Sequence, residues 1–441
     1  MNLRPHMFFR FKPGEFGLVV PLFSFFFLVI AIFQMLYPLK KGLFVGTFGA
    51  ELELYAKLLN IVVAAVAVGA YTVLYNRLTR IRLIDTIGLF FSVLFVYLAV
   101  VLSAGAAVNI WVFYLLGDLV TTVMVATFWA LATDLASSEQ AKRLFGVVGA
   151  GGIVGGVAGS FLARLLREPL GTSGLLLLAA GMMFATAISA RLAMQASSKL
   201  TAGRMPTTPD GGGSKPGSHK GKTDKQGAEL LEGARLVLQS KYLLAIVGIM
   251  FFYEIASQTM DFQFSRVGEQ LTSVAETQAY FADVRLYANI VSVIVQFFLV
   301  SLIMRTAGVL TALLVLPGAV ITSSLSFWAT GTAQSASLLH ISDNGLNYSI
   351  QQTSRESLYT VTSPDEKYKA RAFTNMFMQR FAKGVSILSI LVLSGWQVGV
   401  QSLSWLAIAM AVAMIACSVY AGRRFSAADD LSASGAAPEV A

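Results

Sequence analysis

The sequence predicts an all-α integral membrane protein of twelve transmembrane helices in two six-helix halves. Three observations predict it. Of 441 residues, 56% are hydrophobic and 13% charged, about half the charged share of an ordinary soluble domain; the mean hydropathy is +0.67. The apolar residues gather into runs of about twenty, the length a helix needs to cross a bilayer. One polar segment near the middle, rich in glycine and lysine, divides those runs six and six. A cytosolic enzyme of this size would need far more polar surface and is excluded.

The expected spans run near 16–37, 53–75, 83–103, 109–133, 143–163, 173–194, 242–260, 280–304, 306–329, 334–354, 372–395 and 402–420. Span ten is the weakest by hydropathy, because it carries His340, Asp343, Asn344, Asn347 and Tyr348. Twelve is the count that makes the loop charges consistent. Loops on the N-terminal side hold Arg4, Arg10, Lys12, Arg77, Arg80, Arg82, Lys142, Arg143, Arg305, Lys367, Lys369, Arg371, Arg423 and Arg424. The opposite loops hold only Lys40, Lys41, Arg164, Arg167 and Arg266. By the positive-inside rule both termini are cytoplasmic. The net charge of +9 therefore reads as orientation, with no nucleic acid as partner.

Residues 1–196 make the first half. Ser197–Gly227 has no apolar period and reads as a disordered cytoplasmic linker. Residues 228–241 place Leu230, Leu231, Ala234, Val237 and Leu238 on one side, as an amphipathic interfacial helix does. Residues 242–422 make the second half, and 423–441 a disordered tail. The halves look distantly repeated: Ser137–Arg143 and Ser363–Arg371 occupy the fourth loop of each, with Glu139 matching Glu366 and Lys142 matching Lys369. Two six-helix halves joined by a cytoplasmic linker is the major-facilitator architecture.

Several motifs carry no chemistry. Gly217–Thr223 imitates a phosphate loop, but Pro216 stands where glycine is needed and no strand precedes it. The glycines of span five, from Gly146 to Gly159, lie inside an apolar run and suit close helix packing in lipid. Cys417 is the single cysteine, and His6, His219 and His340 have no zinc spacing. No metal and no cofactor is expected. The first apolar run is too long for a cleavable signal peptide.

Ionisable residues in or beside the spans are more telling, since a charge at the bilayer centre costs about 2.5–3.5 kcal/mol. Lys40, Lys41, Asp134, Asp261, Asp283, Arg285, Asp343, Arg355 and Glu356 lie in or near span ends or in span ten; Lys57, Asp118, Arg380 and Lys383 sit deeper. Cations in both halves suit a central site for an anionic solute, through charge-assisted bonds to phosphate or carboxylate. Tyr55, Tyr114, Tyr280 and Tyr348 are candidates for stacking on a base.

Four segments carry a family resemblance. They are Leu36–Val45 after span one; Ala50–Lys57 at the start of span two; Gly117-Asp118-Leu119 with Phe128–Asp134 in span four; and Arg355–Tyr359, Lys367–Phe373 and Lys383-Gly384 across spans ten and eleven. Together they resemble the ATP:ADP antiporters, the nucleotide transporters of plastids and intracellular bacteria related to the major facilitators. The resemblance implies nucleotide-binding roles for Lys40, Lys57, Asp118, Arg355, Glu356, Lys369 and Lys383, and an acidic role for Asp261. Arg380 joins them by its depth in span eleven. The sequence departs from the family pattern at Lys41, where an acidic residue is usual, and at the shorter acid Asp118.

The expected function is thus alternating-access movement of a nucleotide or related phosphorylated anion across a bacterial-type inner membrane, by exchange, with the site between the halves. The partners would be the small anionic solute and the lipid bilayer, and a monomer would suffice. A proton-coupled carrier of another solute, using Asp118, Asp261 or Asp343, is the alternative. A non-transporting membrane subunit is the rival from another class. No nucleophile–base pair or metal cluster points to an enzyme.

Overall fold

The computed structural model describes residues 15–102, 106–136, 138–202, 232–362 and 369–433. Its regular structure is helical throughout, with no strand among the described residues. The helices are α1 (Phe16–Arg77), α2 (Arg80–Val101), α3 (Ala107–Leu135), α4 (Ser138–Ala202), α5 (232–239), α6 (Lys241–Glu269), α7 (Val274–Ile294) and α8 (Val300–Thr306). They continue with α9 (Gly308–Thr330), α10 (Ala333–Leu346), α11 (Gln352–Leu358), α12 (Arg371–Phe373), α13 (Gln379–Gly395) and α14 (Ser404–Ala433).

Two of these cannot be single rods. At about 1.5 Å per residue, the 62 residues of α1 would reach about 93 Å, some three times the ~30 Å hydrocarbon core. The chain turns at Gly49 (φ 86°) in α1 and at Gly171 (φ 62°) in α4, a backbone region open to glycine and costly for residues with a Cβ. Each therefore contributes two spans. Among the described residues eight helices are long and apolar enough to cross a membrane, and the two turns bring the spans to ten. The α10–α11 stretch, broken by a π turn at Asn347–Gln351, and the α12–α13 stretch, broken by another at Thr374–Met378, stand at spans ten and eleven. Large apolar side chains such as Leu89, Val100, Phe184 and Phe298 are exposed on the helices, as a lipid-facing surface requires.

Several helices outrun their expected limits. Hydropathy places Lys40 and Lys41 in a loop, yet both lie inside α1 and are buried. Asp261 lies well within α6 instead of ending a span. The reason is pairing: Lys40 and Asp261 each meet an opposite charge, which lets a helix carry them through a region that hydropathy treats as a boundary. At the other end, α14 continues through Ala433, so 423–433 are helical where a tail was expected; alanine, arginine and leucine there favour the helix. Helix α4 likewise continues six residues into the expected linker, to Ala202. The rest of the linker, the tail from 434, the N-terminal 1–14 and loop positions 137 and 363–368 lie outside the described residues.

The chain divides into two compact units. They are not the contiguous halves the sequence suggests. The first comprises 1–47, 59–211 and 272–286; the second comprises 48–58, 212–271 and 287–441. In the first unit α2 packs on α4 and α3, around a core that includes Phe25, Phe91, Phe95, Phe113 and Phe128. The glycines of α4 are its tightest contacts. A Cβ at Gly155 would lie 2.4 Å from the Phe27 carbonyl oxygen, and at Gly159 2.2 Å from that of Ala31, so α4 lies backbone-to-backbone on α1. In the second unit α6 packs on α14, α13 and α10, and α9 on α14 and α10. Helix α5 buries Gly233 and Val237; a Cβ at Gly233 would lie 2.5 Å from the Lys369 carbonyl oxygen. This short helix rests on the start of the α12–α13 stretch.

Candidate functional site

The Gly49 turn separates two lysines carried by the same helix. Lys40 precedes it and belongs to the first unit; Lys57 follows it and belongs to the second. Each finds an aspartate there.

In the first unit Lys40 donates from Nζ to Asp118 Oδ1 on α3. Its neighbour Gly117 makes this possible, since a Cβ there would lie 3.3 Å from Lys40 Cδ. The lysine stem crosses α3 over the glycine and reaches the adjacent carboxylate. Asn60 Nδ2 donates to the other oxygen, Asp118 Oδ2, at 2.6 Å. The Lys40 ammonium lies 4.8 Å from the centre of the Tyr114 ring and 5.8 Å from that of Tyr37. Lys41 and Arg285 also approach Tyr37, at 6.0 and 4.3 Å. Gln34, Tyr37 and Lys41 share one face of α1 by their spacing, and Gln34 Oε1 accepts from Arg285 Nε at 2.7 Å.

In the second unit Lys57 meets Asp261 Oδ2 at 2.5 Å and Glu53 at 3.8 Å, one helical turn back. Asp261 Oδ1 lies 3.7 Å from His340 Nδ1, and the His340 ring stacks on Phe264 at 4.4 Å. The same face of α6 continues through Ser257 and Tyr253, spaced four residues apart. Their hydroxyls donate to the two oxygens of buried Asp343 on α10, both at 2.8 Å. The facing polar rows of α6 and α10 explain why span ten reads as weakly apolar: its polar side chains are satisfied by partners instead of by lipid.

The remaining expected site residues lie elsewhere in the second unit. Glu356 pairs with Arg371 at 2.8 Å, and Lys369 with exposed Glu232 of α5 at 2.7 Å. Arg355 on α11 and Lys383 on α13 are half-buried, and Arg380 is exposed. The structure thus joins Lys40 with Asp118 and Lys57 with Asp261, and ties Lys369 to a surface contact. Tyr114 is buried against Phe44 with ring centres 4.5 Å apart, so its ring is committed to Lys40 and the core instead of to a base. Asn60, Tyr253 and Ser257 are not singled out by the sequence, and Tyr37 and Glu53 stand there only within the segments that carry the family resemblance. For Asn60 the signal is a polar residue inside an apolar run, and for Glu53 an acid at the start of one. Among the described residues no group of histidine, cysteine and carboxylates is arranged to hold a metal.

The geometry of these ion pairs can be set beside known proteins. The family profile of the TLC ATP/ADP transporters matches residues 104–346, more than half of the chain. The chain belongs to the TLC ATP/ADP transporter family. Among curated relatives of this TLC chain, ADP,ATP carrier protein 1 of Chlamydia trachomatis serovar D is 24% identical over 304 residues, covering 62% of this chain and 56% of the relative. The protein of the same name from Chlamydia muridarum is 23% identical over 303 residues, with the same coverage. The chain thus matches little more than half the length of these relatives. Two crystal structures of the nucleoside transporter NupG are similar, with TM-scores of 0.59 and 0.58 at 13% and 12% identity, covering 95% and 93% of this chain and 99% of each of theirs. They show that this TLC family member shares their fold; its long apolar helices and its family make it an integral membrane protein.

Proposed function

We propose that this protein is a nucleotide carrier that exchanges one nucleotide, or a closely related phosphorylated anion, for another by alternating access. One observation carries the reading: a member of the TLC family holds a lysine–aspartate pair in each of its two units, Lys40–Asp118 and Lys57–Asp261. A phosphoryl group can replace either carboxylate on its lysine without adding or removing a buried cation. The aspartates stand in for the solute when it is absent. The name of the relatives, ADP,ATP carrier, supports a nucleotide as the solute.

Lys40, Asp118, Lys57 and Asp261 are the residues proposed to meet it, with Arg355 and Lys383 nearest in character; half-buried Glu356 and Lys369 are engaged by Arg371 and Glu232, and Arg380 is exposed. The protein works as a carrier and not as an enzyme. Its place is a bacterial-type inner membrane with both termini cytoplasmic, which the basic bias of Arg77, Arg80, Arg82, Arg305, Arg423 and Arg424 supports. The test is uptake of labelled ATP into proteoliposomes preloaded with ADP. Uptake is expected with the native protein, insensitive to collapse of the proton gradient, and lost on Lys40→Gln. Absence of uptake for every nucleotide tried refutes the proposal.

Proton-coupled movement is the second reading, favoured by Asp343. This carboxylate is buried, held by two hydroxyls, and lies in the same network of α6 and α10 as Asp261 and His340. Under that reading uptake fails when the gradient collapses, and Asp343→Asn uncouples it.

A further inference from the structure

We propose that Glu254 is the resident counter-anion of Arg355 and Lys383, and that it loosens their hold on a bound phosphoryl group so that the solute can leave. The proposal rests on the nucleotide reading above. It adds an acid to the site and assigns it to release instead of to binding.

All the groups concerned belong to the second unit. Glu254 lies on α6 with 6% of its surface exposed. It precedes Asp261 by two helical turns, so the two acids share one face of the helix, about 10 Å apart along its axis. Gln258 stands between them on that face. Its Nε2 donates to Glu254 Oε1 at 3.2 Å, while its own Oε1 is buried without a partner. Helix α13 runs against this stretch of α6, since Ser386 Oγ donates to the Ile255 carbonyl at 3.3 Å. Gln379 and Lys383, one turn apart on α13, and Arg355 of α11 all act on Glu254: Gln379 as a hydrogen-bond donor, the two cations through their charge.

The acid is held and the cations are not. Neither Arg355 nor Lys383 has a hydrogen bond or an ion pair of its own among the described residues. Two cations around one carboxylate leave one positive charge uncancelled. Without Glu254 both would be uncancelled on membrane helices, which is costly, so the acid serves the empty carrier. It also differs from Asp118, which exposes 32% of its side chain and can yield its lysine to an arriving anion. Glu254 is buried and fastened by two amides, so it stays in place when a phosphoryl group reaches Arg355 and Lys383. Two negative groups then share the same cations and repel each other. The bound anion is held less tightly and departs sooner.

The test measures ATP uptake by the full-length protein in liposomes preloaded with ADP. Glu254→Gln is expected to lower the KM about fivefold or more, the size of a screened charge–charge coupling. The maximal rate should fall by a similar factor, because release becomes slower. Glu254→Asp returns both values toward the native ones. Gln379→Glu, which adds a carboxylate at an exposed position beside the same cations, should raise the KM. An acid with a purely structural role would lower the unfolding midpoint and leave the KM unchanged, and one that binds the solute would raise the KM when neutralised; either result for Glu254→Gln overturns the proposal. Inorganic phosphate is the independent probe. At one concentration it should raise the unfolding midpoint of Glu254→Gln more than that of the native protein, and adding Lys383→Gln should abolish the gain. If no nucleotide is carried but this phosphate difference persists, the nucleotide reading fails and the role of Glu254 stands. If a nucleotide is carried and the difference is absent, the role of Glu254 falls. Should Glu254→Gln not fold, Gln379→Glu decides the matter: an unchanged or lowered KM refutes the proposal.

Discussion

Removing the charge of Lys57 should destabilise the protein more than removing the charge of its partner. Lys57 exposes 9% of its side chain and Asp261 16%, with Nζ and Oδ2 2.5 Å apart. Loss of one member of such a buried pair costs about 3–5 kcal/mol, because the other is left charged and desolvated. The two deletions are not equivalent here. Lys57→Met takes the cation away from two acids, Asp261 and the nearly inaccessible Glu53, which lies 3.8 Å from the lysine. It should cost the full 3–5 kcal/mol. Asp261→Asn leaves Lys57 beside Glu53 and keeps a polar group of the same shape, so about 1–3 kcal/mol is expected. The double variant should cost less than the sum of the singles by about 2 kcal/mol, as a direct coupling requires. Unfolding midpoints of the purified protein in detergent report the comparison. A midpoint shift for Lys57→Met of about 3–5 °C is expected, and a clearly smaller one for Asp261→Asn. Equal shifts, or strictly additive ones, would refute the placing of Glu53 and Asp261 around one lysine.

Other outcomes follow from single contacts. Gly49→Ala must adopt φ 86° and bring its Cβ within 2.7 Å of Glu269 Oε1; it should lower stability by about 1–3 kcal/mol, whereas Gly69→Ala, with open space around it, should be neutral or slightly stabilising. Gly159→Leu should prevent the close approach of α4 to α1 and reduce the yield of folded protein, read by size-exclusion chromatography, while Gly146→Leu should not. Tyr253→Phe removes one of the two donors to Asp343 and should lower the midpoint by the equivalent of about 1–3 kcal/mol. Lys369→Gln breaks the half-exposed contact with Glu232; uptake should survive, with stability changed by less than about 1 kcal/mol, in contrast to loss of uptake in Lys383→Ala.

The sequence made some of this legible and not the rest, for physical reasons. Lys57 and Asp118 stood out because a charge in an apolar run is expensive enough to demand a cause. Their partners did not, because pairing is a tertiary fact. Nothing local says that Lys40 crosses Gly117 to reach Asp118, or that Lys57 meets Asp261 about two hundred residues away. The glycines of span five were readable as packing from their spacing alone, and the contacts of Gly155 and Gly159 agree. Hydropathy misplaced Lys40, Lys41 and Asp261 at span ends, since a scale that scores residues singly cannot see that a charge has been matched. Lys369 had the right family motif around it, yet its side chain belongs to the contact with α5. Arg285 opened span eight with no sign that its companions would be Gln34 and Tyr37.

The segment 272–286 has a consequence for the order in which the protein can be made. It lies beyond the linker in the chain, yet it is part of the first compact unit. Gln278 from this segment donates to the Leu39 carbonyl at 3.0 Å, and its backbone fits against Gly42 so closely that a Cβ there would lie 2.7 Å from Gln278 Cα. A ribosome that has finished the first six spans has therefore not yet supplied everything that seals them. The groove at Leu39–Gly42, with Lys40 and Lys41 in it, has to wait in the membrane until the linker, α5, α6 and the start of α7 have been synthesised. Two cationic residues thus remain only partly enclosed during that interval, and the first unit closes only when the second is already under construction.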